Sequence, residues 1–283
     1  MIKVLKAGFY SSIQDRGRVG FASVGVPVSG VMDSFSSDIA NSILGNSLED
    51  AVLEITFGGT QLQFLQDTFI SISGGDFSPI INGKRITLNS RIQVFENDVL
   101  SFGKINFGVR CYLAIKGGFQ IKKVLGSRSF YQNITDDFII RKNDILSIKE
   151  TKNQFESANT SIKTIKHHFE NNQIECSKGP EFELLNELQK KQIVKKLFSI
   201  SNDNNRMGYK LNEIIENDLP SILTSAVLPG TIQLTPSGKL IILMRDCQVT
   251  GGYPRILQLT ERAINQLSQK TTNDKFQFVF EKT

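Results

Sequence analysis

The residues best suited to chemistry lie in three clusters. The first is Ser11-Ser12-Ile13-Gln14-Asp15-Arg16-Gly17-Arg18, which leads through Gly20, Gly25 and Pro27 to Ser29-Gly30 and then Met32-Asp33. It sets arginines, carboxylates and hydroxyls close together, with glycines that let a loop fold back on itself. The planar fork of donors on an arginine suits a carboxylate or a phosphate. A loop with so few core-forming residues needs a reason for its length. The second cluster is Asn205-Arg206-Met207-Gly208-Tyr209. The third is Gln233, followed by Asp246 and by Thr250-Gly251-Gly252-Tyr253-Pro254. Spacing alone predicts Arg/Asp/Gly-rich loops that bind a small anion.

Other chemistries lack their residues. The chain has no G-x-x-x-x-G-K-[ST] phosphate loop, no G-x-S-x-G nucleophile elbow and no lysine context for biotin attachment. His167 and His168 adjoin in a polar stretch and read as solvated. Acid–base work then falls to carboxylates, or the site acts by orientation and electrostatics. No Cys/His spacing suggests a metal. Cys111, Cys176 and Cys247 are far apart and read as reduced thiols. Four Gly-Gly pairs occur, at 58–59, 74–75, 117–118 and 251–252. Tight turns and bulges account for most such pairs; the last, beside Arg245-Asp246, has the better case for a site.

The elements that must hold these clusters are mostly strands. Thr68–Ser73 alternates like a half-buried strand, as does Gln61–Leu65. Asn82-Gly83 between two apolar runs predicts a hairpin. Phe138–Ile148 reads as strand, turn, strand; Thr231–Leu234 and Leu240–Met244 flank the turn Pro236-Ser237-Gly238-Lys239. Three helices are predicted. One runs from Asp33 or Ser34 to Leu44, with Phe35, Ile39 and Ile43 inward. A second spans Glu181–Phe198, with Leu184, Leu185, Leu188 and Leu197 inward. The third spans Thr260–Gln269.

At 283 residues with 40% hydrophobic and 22% charged residues, the chain can bury a real core and is not a disordered segment. Its net charge of +5 is dispersed, without the basic stripe of a nucleic-acid protein. No run is apolar enough to cross a membrane as a helix, and the N-terminus lacks the core of a signal peptide. A cytoplasmic protein is expected. Residues 1–150 read as one half, 151–172 as a polar linker, and 173–283 as a second half.

The ordered motifs resemble a known family. Ser12-Ile-Gln-Asp15-Arg-Gly-Arg18, Gly25-Val-Pro27-Val-Ser29-Gly30-Val-Met32-Asp33, Ala40-Asn41, Leu53-Glu54, Gly117-Gly118, Arg206-Met-Gly-Tyr209, Pro229-Gly230-Thr-Ile-Gln233 and Thr250-Gly-Gly-Tyr-Pro254 resemble the family of 5-oxoprolinase C subunits. That family is also called allophanate hydrolase subunit 2 or the biotin-dependent carboxyltransferase family. The resemblance implies a mainly β fold with a few helices, in two cyclophilin-like β-barrel halves. It implies partners, subunits A and B, and the ATP-dependent opening of 5-oxo-L-proline to L-glutamate. ATP would be shared with a partner subunit, with Mg, and this chain would carry no biotin. It assigns Asp15, Arg18, Asp33, Arg206 and Asp246 to catalysis. Gln14, Ser29, Asn41, Gln233, Thr250, Gly251, Gly252 and Tyr253 would bind substrate, and no residue a metal. The alternatives within the resemblance are carboxyl transfer from biotin to urea or a related amide, and a non-enzymatic antagonist that binds a partner. Cys247 stands where the family often has arginine, which removes a charge beside the expected site.

Overall fold

The computed structural model describes residues 1–149 and 161–281. The chain divides into two compact units. One comprises residues 1–18 and 29–169; the other comprises 19–28 and 170–283. Expectations for residues 151–160 of the linker lie outside the described residues. Residues 161–169 fall in the first unit. Ser161 bridges Ser90, Ile162 N–H donates to Asn89 O at 2.9 Å, and Asn89 Nδ2 donates to Thr164 Oγ1 at 3.1 Å. The linker reading is therefore corrected at this end: backbone bonds hold it to a neighbouring loop.

The fold is mainly β, as expected. The first unit is built from two sheets. One runs in the order Ile145–Leu146, Ile2–Ala7, Thr60–Phe64, Val99–Ser101, Ile80–Ile81, Lys84–Arg85; the other runs Tyr10–Gln14, Val52–Thr56, Phe107–Ile115, Thr68–Asp76, Ile92–Val94. Ile2, Val4, Ile13, Leu53, Ile55, Leu62, Phe64, Ile70, Ile72 and Leu113 form its core. The Asn82-Gly83 hairpin is present, with both residues at positive φ. Thr68–Asp76 is buried on both faces rather than one, because helix α1 (Ser34–Ile43) covers the side away from the core.

Helix α1 starts where the sequence places it. Asp33 accepts from Ser36 N–H at 3.1 Å, and Gly45, at φ 60°, follows the C-terminus. Its buried face differs from the expected one. Ile43 is buried as expected, but Ser36, Ser37, Ala40 and Asn41 also face inward, while Phe35 and Ile39 are only half-buried. Small side chains let the helix axis approach the sheet. Only the second half of the 138–148 reading is strand. A short helix that the sequence reading omits, α2 (Lys166–Glu170), carries both histidines.

The second unit is a closed seven-stranded barrel in the order Gln173–Lys178, Arg255–Leu259, Thr231–Leu234, Lys239–Leu243, Gly208–Ile214, Phe198–Asn204, Lys275–Phe280. Its last strand pairs parallel with its first. The expected helix over 181–198 splits. A 3-10 turn covers Phe182–Leu184, and helix α3 covers Glu187–Lys195. Asn186 and Gln189 form a capping box, which restarts the helix there. Leu184, Leu188 and Leu197 are consequently exposed, and Leu185, Gln189 and Ile193 are buried. Helix α4, Glu261–Leu267, buries Ala263, Ile264 and Leu267 as expected.

Candidate functional site

In the first unit the loop around Asp15 is held by its own polar groups. Asp15 Oδ1 accepts from Gly17 N–H at 2.8 Å, Ser127 Oγ at 2.6 Å and Ser129 Oγ at 2.7 Å; Oδ2 accepts from Arg128 N–H at 2.6 Å. Among the described residues its carboxylate pairs with no arginine. Hydrogen bonds to a carboxylate are worth about 1.5–3 kcal/mol each, so this one knits two distant segments together. Arg18 is 1% exposed, and its Nη2 donates to Ser129 O. Val31 N–H donates to Asp15 O at 3.0 Å. Gly30, at φ 93°, packs so closely that a Cβ would lie 3.0 Å from backbone atoms of Asp15, Arg16 and Gly17. Ser29 is buried, with φ at 60°.

Asp33 also has structural tasks. Beyond capping α1, its Oδ2 accepts from Ser36 Oγ at 2.6 Å and lies 2.9 Å from His168 Nε2. His168 is buried between Phe35 and Phe169, with ring centroids 4.7 and 5.0 Å away. The reading of both histidines as solvated is corrected for His168. A sequence cannot show that the partner of His168 lies 135 residues earlier. The neighbouring peptide is positioned likewise: Met32 N–H donates to Glu54 Oε2 at 2.7 Å and Asp33 N–H to Tyr112 Oη at 2.8 Å. Glu54 and Tyr112 are fully buried, and sequence reasoning assigned neither a role.

Two residues expected to bind substrate are bonded within the fold. Asn41 Nδ2 donates to Asp50 O at 2.9 Å, and its Oδ1 accepts from Asn46 Nδ2 at 3.1 Å. Gln14 Nε2 donates to Ser12 Oγ at 3.0 Å and Phe130 O at 3.2 Å, while its buried Oε1 has no partner among the described residues.

In the second unit, Arg206 and Asp246 form a buried two-pronged pair. Arg206 Nε lies 2.7 Å from Oδ2, and Nη2 lies 2.9 Å from Oδ1. Asp246 thus fixes the orientation of the guanidinium. Arg255 is clamped similarly by Glu181, at 3.0 and 2.8 Å, and its Nη1 donates to Ala226 O. The Glu181 carboxyl is held below its usual range, chiefly by this side-chain bond.

Residues 250–251 pair with 225–226 in a separate two-stranded ribbon. Ile222 N–H donates to Gly252 O, and Val227 N–H to Val249 O, extending it. Thr250 and Tyr253 are exposed. Gln233, on strand Thr231–Leu234, lies against this ribbon and is 2% exposed. Its Nε2 is fully buried and donates to no described residue. A Cβ on Gly251 would collide with that Nε2. Cys247 packs with Val227 and Leu243. Burial, with the Asp246 charge, pushes its thiol up to about 12. Cys247 is therefore part of an apolar cluster.

Among the described residues no three His, Cys, Asp or Glu side chains gather to hold a metal, and Arg206 and Arg255 are each paired with a carboxylate. No described helix is long and apolar enough to cross a membrane.

Comparison with known proteins agrees with this architecture. The family model for the carboxyltransferase domain, subdomain A and B, matches residues 24–280. The C subunit of the 5-oxoprolinase of Escherichia coli (strain K12) is 29% identical over 285 residues, covering 99% of this chain and 91% of that protein. The urea amidolyase of Lachancea kluyveri is 43% identical over 130 residues, which are 46% of this chain and 7% of that one. The crystal structure of the K. lactis urea amidolyase superposes with a TM-score of 0.86 and 28% identity, covering 98% of this chain and 18% of that one. This chain thus spans a small part of either amidolyase. On the match over residues 24–280, the protein belongs to the carboxyltransferase domain family with subdomains A and B.

Proposed function

We propose that this chain is the C subunit of an ATP-dependent 5-oxoprolinase, which opens 5-oxo-L-proline to L-glutamate together with subunits A and B. The observation that carries the reading is the end-to-end match to the C subunit of the Escherichia coli 5-oxoprolinase, over 99% of one chain and 91% of the other. The chemistry asks for what the second unit offers. A cyclic amide is a poor electrophile, because its nitrogen donates into the carbonyl. An enzyme that opens it must hold charge on oxygen with fixed donors and align the reactants. In this reading Arg206, aimed by Asp246, is such a donor, and Gln233 with the Thr250–Tyr253 turn contacts the substrate. Asp15 and Asp33 act through the loops that they fix. ATP and its Mg belong to the assembly and are held by a partner subunit. The assembly works in the cytoplasm, and the three cysteines are free thiols.

The test is reconstitution. Purified chain mixed with its A and B partners should release ADP and glutamate from 5-oxo-L-proline. ADP no higher than with A and B alone overturns the reading. A second reading, carboxyl transfer from biotin to urea, is favoured by the 43% identity to a urea amidolyase over 130 residues. It requires a separate biotinylated carrier, and avidin would abolish that activity but not the lactam reaction.

A further inference from the structure

Two phenylalanines stand in water at one end of the first unit. Phe9 is 77% exposed, in the turn between strands Ile2–Ala7 and Tyr10–Gln14; Phe57 is 37% exposed, in the turn between Val52–Thr56 and Thr60–Phe64. Their rings meet edge to face with centroids 5.4 Å apart, and neither belongs to the buried core. The backbone holds this pair in place. Phe9 N–H donates to Gly58 O at 3.3 Å, and a Cβ on Gly8 would lie 2.5 Å from that oxygen. Phe57 itself has φ 58°, a left-handed conformation that bulky side chains avoid. Elsewhere the chain respects that preference. Of the ten non-glycine residues with positive φ among the described residues, six are Asn and two are Ser; the others are Leu125 and Phe57. Glycine or asparagine would close the turn at 57 with less strain, so the ring has another use. Residues 5–10, 56–60 and 103–106 meet at this end: Gly59 and Gly8 are in contact, and Phe102 N–H donates to Thr60 O at 3.0 Å. These segments carry two charges, Lys6 and Lys104, both positive and both exposed.

We propose that Phe9 and Phe57 anchor this chain to a partner subunit whose matching surface is an apolar pocket edged by carboxylates. Aromatic anchors seated in pockets carry much of the binding energy of protein interfaces. Lysines around such an anchor steer it toward an acidic partner and reject a basic one. Rings locked edge to face suit a pocket of fixed shape, because the ordering is done before binding. A bilayer takes up apolar area in any arrangement and would gain nothing from a strained backbone. This inference rests on the assembly proposed above and names the surface by which the chain joins it.

The experiment titrates the full chain with purified B subunit, with A subunit and with both, by calorimetry and stopped-flow association, while thermal melts follow the fold. Phe9→Ala removes an exposed ring and should leave the melt unchanged, yet weaken the complex by about tenfold or more. Phe57→Gly relieves the left-handed strain, so it should melt no lower than wild type while weakening the complex to a similar degree. Lys6→Glu combined with Lys104→Glu should slow association several-fold and flatten its dependence on salt. At saturating A and B each variant should regain the wild-type kcat for 5-oxo-L-proline, since the rings lie outside the proposed site. Wild-type affinity in both phenylalanine variants overturns the inference, as does a wild type that binds neither subunit or a kcat that stays low at saturation. Binding to phosphatidylserine vesicles that needs Phe9, with subunit affinity unmoved by the substitutions, overturns it in favour of a membrane. A complex that depends on both rings but makes no glutamate from 5-oxo-L-proline defeats the proposed function and leaves this inference standing.

Discussion

The Asp15 loop and the Gln233 ribbon use polar residues in opposite ways. Around Asp15 the carboxylate meets four donors, and a glycine is pressed against the backbone of residues 15–17. At Gln233 the buried Nε2 meets no acceptor among the described residues, and Gly251 is packed directly against that amide. The first region holds more charge and more motif residues, and its Asp15 carboxylate is consumed in fixing the loop. The second has fewer, but one of them remains unmatched. Density of polar residues marks where a chain is tied together.

Five substitutions test this contrast. Asp15→Ala leaves two peptide N–H groups and two hydroxyls without their acceptor, and should cost about 4 kcal/mol in urea unfolding. A loss under about 1 kcal/mol would mean that the loop does not depend on this carboxylate. Arg206→Ala strands a buried Asp246 charge and should cost about 3 kcal/mol. Adding Asp246→Ala should restore part of that loss, and simple additivity of the two losses would disprove the coupling. Gln14→Leu removes two made bonds and should cost about 1–2 kcal/mol. Gln233→Leu should cost nothing, so equal losses at the two glutamines would erase the contrast.

The smallest effect is alkaline. Unfolded thiols ionise near pH 9, whereas the folded Cys247 thiol is held to about 12. Its contribution to stability is complete below the unfolded value and is lost as pH rises between the two. Each such thiol steepens the fall by about 1.4 kcal/mol per pH unit there. Cys247→Ala should flatten the melting profile between pH 9 and 10; an unchanged slope would mean that the thiol titrates in the folded protein.

Much of the fold is legible because its signals are local. The Asn82-Gly83 hairpin, the Asp33 cap with Gly45, and the 235–238 turn each depend on neighbours in sequence. Helix α3 is misjudged where the Asn186–Gln189 box, also local, outweighs the leucine spacing. The inward face of α1 is misjudged because close packing on a sheet favours serine and alanine over phenylalanine. The three site clusters are visible as residue types. Which groups are already bonded is not, since three of the four donors to Asp15 lie more than 100 residues away and one partner of Asp33 is His168. Cys247 reads as a lost charge only until its apolar neighbours are known.

The seam of the barrel joins residues 173–176 to residues 277–280, the beginning of that unit to its end. During synthesis the cylinder has no closing stave until its final strand has left the ribosome. Until then two strand edges stay open, each a template for stray pairing. Nascent chains halted before residue 275 should therefore remain chaperone-bound, and release should follow within a few residues of the seam becoming available.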